Sequence, residues 1–204
     1  MTTHDDTRGK SEVHVLDGLH RRAALEAEVR ETIIPEYDAT ADVGIRTRIY
    51  HAAIERIDRD GEETIEVPKP NELRAAAAVA RCLMPIKLRG AEIRAIRKIV
   101  GLTLGEFAKS LDDRAAAETV SRWESEAQPM GGYAEKILRL FVCEQLKDRA
   151  PGIDYAAKMI ADLKVLDPWR LDPDYNVPAI ELRLLNLKEQ SGGIIEAWNM
   201  KKAA

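Results

Sequence analysis

The chain has 204 residues, room for one or two small domains, and its 31 Lys/Arg against 35 Asp/Glu give a net charge of −4, which argues against wholesale polyanion binding. With 45% apolar and 32% charged residues the composition is that of a globular protein; no apolar run approaches a membrane span, and the His4-Asp5-Asp6 start lacks an apolar export stretch, so a cytoplasmic location is expected. Cys82 and Cys143, in apolar helical patterns and without histidines nearby, are too few for a structural zinc site and read as reduced core residues.

Residues 1–12 are polar and patternless, a disordered tail. Residues 13–67 read as a helix followed by a small β region. Leu16, Leu19, Leu25, Val29 and Ile33 predict an amphipathic helix over Val15–Ile34, ended by Pro35. Tyr37–Val43 reads as loop. From Gly44 the period changes to two: Ile45, Thr47 and Ile49 alternate with Arg46, Arg48 and Tyr50. Ile54–Ile57 and Thr64–Val67 flank Asp58-Arg59-Asp60-Gly61, a hairpin signal. A small N-terminal antiparallel sheet is predicted.

Residues 68–148 read as a helical domain. Pro68 and Pro70 break the sheet, Asn71 is placed to cap an Ala-rich helix over Glu72–Met84, and Pro85 closes it. Ile93, Ile96, Ile99 and Val100 give the next helix, Ala91–Val100, an apolar face, with Arg94, Arg97 and Lys98 on the others. Gly101 stops it. Thr103 and Glu106 form a capping box for Leu104–Leu111, whose inner stripe is Leu104, Phe107, Ala108 and Leu111. A third helix is expected over Ala116–Glu124, with Val120 and Trp123 inward. Ala134, Ile137, Leu138, Phe141 and Val142 mark a further helix, Ala134–Leu146.

Residues 149–204 read as a C-terminal helix and β-hairpin. Asp148–Gly152 is a boundary, Tyr155–Leu166 is patterned as an amphipathic helix, and Asp167-Pro168 and Asp172-Pro173 make a rigid loop around Trp169. Ile180, Leu182 and Leu184 alternate with charges, and Gly192-Gly193 turns the chain into Ile194–Trp198. The fold class expected is α+β, mainly α: a five-helix bundle flanked by a small N-terminal sheet and a C-terminal helix plus hairpin.

Three short helices separated by tight turns resemble the Cro/CI-type (Xre) helix-turn-helix family. The residues that carry the resemblance are Arg97-Lys98, Gly101-Leu102-Thr103, Glu106-Phe107-Ala108, Thr119-Val120-Ser121-Arg122-Trp123-Glu124 and Gln128-Pro129, over about sixty residues. Three departures stand out. Asp112 replaces the usual Gly after the second helix, DDRAAAE lengthens the turn by about two residues, and Glu126 replaces the Gly after the third helix. The stretch VPKPNELRAAAA before GAEIRAIRK also resembles the MqsA antitoxin family. The zinc-binding cysteines of that family's N-terminal module are absent, so no metal is carried over.

The resemblance implies a recognition helix in the major groove. Arg122 would read guanine through O6 and N7, worth roughly 1–3 kcal/mol of discrimination; the same side chain also suits open solvent or a pair with Glu118 one turn back. Glu118 would accept from cytosine N4 or merely favour the helix dipole. Ala117 would meet a thymine methyl or simply fill the helix. Thr119 and Ser121 would touch phosphate or water. Thr103 would serve phosphate as well as its cap, and Arg114 and Gln128, in the flanking turns, would clamp the backbone. From Lys87 to Glu124 there are eight Lys/Arg against six Asp/Glu, a modest local excess that a dimer doubles.

His4, His14, His20 and His51 are scattered, and no nucleophile–base set, phosphate loop or ligand cluster occurs, so neither an enzyme nor a cofactor is expected. The reading is a sequence-specific regulator, a repressor, that binds double-stranded DNA as a homodimer on an inverted repeat. Its rivals are an antitoxin that neutralises a toxin partner and autoregulates, an interaction module without DNA binding, and a sensor using the C-terminal region.

Overall fold

The computed structural model describes residues 30–188 and 193–201. In chain order these form β1 (Arg30–Ile33), β2 (Glu36–Asp38), α1 (Thr40–Val43), β3 (Thr47–Tyr50), β4 (Ile54–Ile57) and β5 (Glu63–Glu66). There follow α2 (Pro70–Leu83), α3 (Gly90–Val100), α4 (Leu104–Leu111), α5 (Ala117–Glu124), α6 (Gly132–Leu146), α7 (Ala157–Ala161), β6 (Ile180–Lys188) and β7 (Ile194–Met200). Two compact units share the described residues: Arg30–Ile33 with Ile54–Glu66, and Ile34–Ala53 with those from Val67 onward.

In the first unit β1, β4 and β5 form an antiparallel sheet with β4 central. The Asp58 carboxylate sets the hairpin by accepting from the backbone N–H of Asp60 and of Glu62, both at 2.9 Å, and Gly61 supplies the positive φ of 81° the turn requires. Arg56, at the middle of β4, pairs with Glu31 and Glu66 on the two flanking strands. None of these strands has a buried residue among the described ones, and Ile33 and Ile65 are 60% and 50% exposed.

The second unit packs helices against a four-stranded sheet of order β2-β3-β6-β7. β2–β3 and β6–β7 are antiparallel, but β3 and β6 run parallel, with Thr47 opposite Ile180 and Ile49 opposite Leu182. Ile45, Ile49, Leu182 and Trp198 enter the core, and α2 lies against it. Ala75 to Ala80 are all buried, so α2 is apolar around nearly its whole circumference. Its small side chains admit α6 on one side and β7 on the other.

A buried charge network holds the link from α2 to α3. Arg139 on α6 donates to the carbonyls of Cys82, Met84 and Ile86 at 2.7 Å each and to Glu135 Oε1 at 2.7 Å. Arg81 on α2 donates to the carbonyls of Ile86 and Lys87 and forks onto both oxygens of Glu92. Glu135 Oε1 also accepts from the Leu88 amide at 2.9 Å. Among the described residues, only Pro85 O in the irregular stretch from Met84 to Leu88 finds a backbone donor, the Leu166 N–H, and two guanidiniums satisfy the carbonyls of Met84, Ile86 and Lys87.

Several expectations are corrected. The fold is not a mainly helical five-helix bundle with one small sheet: two sheets, of three and four strands, and seven α-helices are present among the described residues. The C-terminal hairpin is not a free appendage, because β6 joins the N-terminal β3. The strand near Ile45–Tyr50 leaves the β4–β5 hairpin for that parallel partner. The helix expected over Val15–Ile34 lies outside the described residues up to position 29, and Arg30–Ile33 is strand β1. Tyr37–Val43 holds β2 and α1 rather than a loop. α2 starts at Pro70, whose fixed φ suits a first helical position, after Lys69 at φ 45°; Asn71 is inside the helix. The helix over Tyr155–Leu166 shrinks to α7. Its expected end is pulled away, since Leu166 donates to Pro85 O and accepts from the Lys87 amide, both at 2.8 Å.

Candidate nucleic-acid interface

Helices α3, α4 and α5 are set by local chemistry. Gly101, at φ 92°, closes α3 by donating to Arg97 O at 3.0 Å. Thr103 Oγ1 accepts from the Glu106 amide at 3.3 Å, while Glu106 Oε2 accepts from the Thr103 amide at 2.8 Å and hydroxyl at 2.7 Å. These bonds hold the Glu106 carboxyl below its ordinary range. Phe107 and Ala108 are buried, and Phe107 meets Phe141 of α6 edge-on at 6.0 Å.

The lengthened turn runs from Asp112 to Ala116. Asp112 is extended, at φ −159°, so no glycine is needed there. Its carboxylate accepts from the Arg114 amide at 2.9 Å and its carbonyl from the Ala115 amide at 2.8 Å. This turn delivers α5 at Ala117, one residue later than expected.

Each inward residue of α5 has a partner. Val120 is fully buried and Trp123 half-buried. Glu124 is buried, accepts from Arg97 Nε at 2.6 Å and Nη2 at 3.2 Å, and from Arg94 Nε at 3.2 Å. Arg94 and Arg97 lie off the apolar face of α3 and both reach Glu124; Arg94 is exposed, whereas Arg97 is largely buried and also donates to Leu102 O at 2.9 Å. The ends fit closely. A Cβ on Gly90 would lie 2.4 Å from the Glu124 carbonyl oxygen.

Glu126, at φ 59°, adopts the left-handed conformation that glycine favours. Its side chain explains the choice. Arg89 donates to both Glu126 oxygens at 2.7 and 2.6 Å, and the Gly90 amide donates at 2.9 Å. The Arg89 bonds hold the Glu126 carboxyl below its ordinary 4.5. Arg89 also lies 4.9 Å over the ring of Trp169.

The residues singled out from sequence separate into three groups. Glu118, Ser121 and Arg122 share the outer face of α5, all exposed, with Ser125 continuing it. Among the described residues neither Glu118 nor Arg122 has an ion-pair partner, so the pairing between them is not formed. Ala117 and Thr119 are half-buried at the flanks. Thr119 turns toward a cleft of about 310 Å³ that Leu111, Trp123 and Tyr133 also line. Arg114 and Gln128 are exposed in the two flanking turns, and the Gln128 amide donates to Arg122 O at 3.2 Å. Thr103 is exposed but committed to its cap, its hydroxyl proton on Glu106.

The sequence gives no sign that Glu124 and Glu126 seat α5, and it does not single out Lys109, which is exposed on α4 with no ion-pair partner among the described residues. The spacing of Arg97 to Glu124 carries no local signal. That position 126 departs from the resembled pattern's Gly is visible in the sequence, and its left-handed backbone is not. Cys82 and Cys143 are buried and unbridged, and the hydrogen bond with Cys82, followed by burial, pushes the Cys143 thiol up. No group of three or more potential metal ligands occurs among the described residues, and no described helix is long and apolar enough to cross a membrane. No protein-family model, curated protein or solved structure matches the chain.

Proposed function

We propose that the chain is a sequence-specific DNA-binding regulator, with α5 as its recognition helix. One observation supports this best. The inner face of α5 is anchored by Val120, Trp123 and Glu124, while its outer face presents Glu118, Ser121 and Arg122 exposed and without ion pairing among the described residues. A rigid helix bearing an uncommitted guanidinium, a carboxylate and a hydroxyl matches the hydrogen-bond vocabulary of major-groove edges. Arg114 before the helix and Gln128 after it suit phosphate contacts that fix the register.

In this reading Arg122 reads guanine, Glu118 accepts from cytosine N4, and Ser121 steadies the backbone. One short helix covers few base pairs, so the protein acts as a homodimer on an inverted repeat, in the cytoplasm, and represses its own promoter. A mobility-shift assay on the duplex upstream of its own gene tests it. Wild type should hold that duplex against unrelated competitor, and Arg122→Ala should lose it; equal displacement of both proteins by competitor rejects the reading. The antitoxin alternative draws support from the solvent-facing β1-β4-β5 sheet, whose exposed Ile33 and Ile65 suit a protein partner. A toxin copurifying with wild type, and lost with Ile65→Asp, distinguishes it.

A further inference from the structure

Away from the outer face of α5, a cleft of about 450 Å³ opens between α1, the first turns of α2 and one side of α3. Its α3 wall is the stripe Ala91, Arg94, Ala95, Lys98, spaced i, i+3, i+4, i+7, so the two alanines leave open space between the two cations. Arg74 faces them from α2. It is held from one side, Nε donating to Asp42 O at 2.9 Å and Nη1 to Asn71 Oδ1 at 3.4 Å. The walls converge where a Cβ on Gly44 would come within 3.2 Å of Ala95 Cβ.

The charges in this cleft are unbalanced. Lys98 has no hydrogen-bond or ion-pair partner among the described residues, and the Arg94 partner is Glu124 alone, at 3.2 Å. The one carboxylate on the wall, Asp42, accepts from the Tyr37 hydroxyl at 3.1 Å. Two guanidiniums and an ammonium against one carboxylate complement a dianion, and forked guanidiniums favour the oxygens of phosphate. The space exceeds what a bare phosphate fills and falls in the range of small-molecule sites.

We propose that this cleft binds a small phosphate ester: Arg74, Arg94 and Lys98 take the phosphate, and the organic part lies over Ala91 and Ala95. Binding is communicated to α5, because Arg94 and Arg97 share Glu124. A phosphate that draws Arg94 inward leaves the last turn of α5 with one anchor instead of two. The binding step is independent of the DNA-reading proposal; only its regulatory meaning rests on it.

The full chain is titrated with inorganic pyrophosphate at constant ionic strength, and backbone amide resonances are followed. Saturable shifts at Gly44, Ala91 and Ala95 are expected, with affinity falling about tenfold in Lys98→Ala and in Arg74→Ala and retained in Lys98→Arg. No saturation in wild type, or unchanged titrations in both alanine variants, overturns the site. The amides of Glu124 and Ser125 should move along the same isotherm; if they stay fixed at saturation, the coupling to α5 is wrong. Pyrophosphate should then change duplex affinity in wild type but not in Lys98→Ala. If Lys98→Ala itself weakens duplex binding and reduces its salt dependence, these cations belong to the DNA backbone and the cleft proposal fails. A protein that binds pyrophosphate in the cleft but no duplex at all retains the site and discards the DNA reading.

Discussion

Arginine serves opposite ends in two regions of this molecule. Around Met84–Leu88, Arg81 and Arg139 are 1% and 0% exposed, and almost every N–H they carry meets a carbonyl or carboxylate. On the outer face of α5, Arg122 is exposed and its guanidinium has no hydrogen-bond or ion-pair partner among the described residues. The first arrangement fixes an irregular chain segment at the cost of desolvating charge. The second leaves a charge hydrated and available. The contrast teaches that a guanidinium's role follows from who satisfies its five donors, not from its place in a helical pattern.

The sharpest break in this comparison is Arg139→Ala. It orphans the Cys82 and Met84 carbonyls, leaves Ile86 O to Arg81 alone and leaves Glu135 buried without its cation, so stability in urea should fall by about 3–5 kcal/mol. A loss below about 1 kcal/mol would place Arg139 in the same class as a surface arginine. Gly90→Ala comes next. The added methyl meets the end of α5 at 2.4 Å from a backbone oxygen, and a cost of about 1–3 kcal/mol is expected from the same unfolding curves.

Glu126 sharpens the comparison from between the two extremes, since it is half-exposed and bridged. Glu126→Ala keeps the positive φ and loses the bridge, whereas Glu126→Gly loses the bridge but relieves the backbone, so the glycine variant should be the more stable by about 1 kcal/mol. The pH dependence has a definite sign. With its folded carboxyl held below 4.5, Glu126 contributes fully above that value and loses its contribution as pH falls through the lowered folded value. Acid titration of stability should therefore be shallower in both variants than in wild type. The smallest effect belongs to Arg122→Ala: stability within about 0.5 kcal/mol of wild type, with duplex binding reduced by roughly 1–3 kcal/mol.

What was legible in the sequence is what depends on near neighbours. The Thr103–Glu106 box, the Gly101 stop and the inward Val120 need only a few residues of context, and the structure places α4 over Leu104–Leu111 as read. The Asp58–Gly61 turn is equally local. Pairings across the chain were not legible. Nothing about Thr47–Tyr50 says that it will lie parallel to Ile180–Arg183, and an alternating strand fits any sheet whose inner face is apolar. Buried charges were the other gap. Nothing in the sequence marks Arg81, Arg139 and Glu135 as buried, because a helical wheel assigns charge to solvent by default. On α5 the outward set could be separated from the inward set by period alone, but the turn's length hid where the helix begins.

The parallel contact of β3 with β6 has a consequence in time. Ribosomes add roughly 5–20 residues per second, so Thr47 has left the exit tunnel on the order of ten seconds before Ile180 is made. The helices α2 to α6 can assemble in that interval through shorter-range contacts, while β3 waits with one edge open. The nascent chain thus offers one open strand edge until β6 emerges, a template on which a chaperone or a second chain can pair.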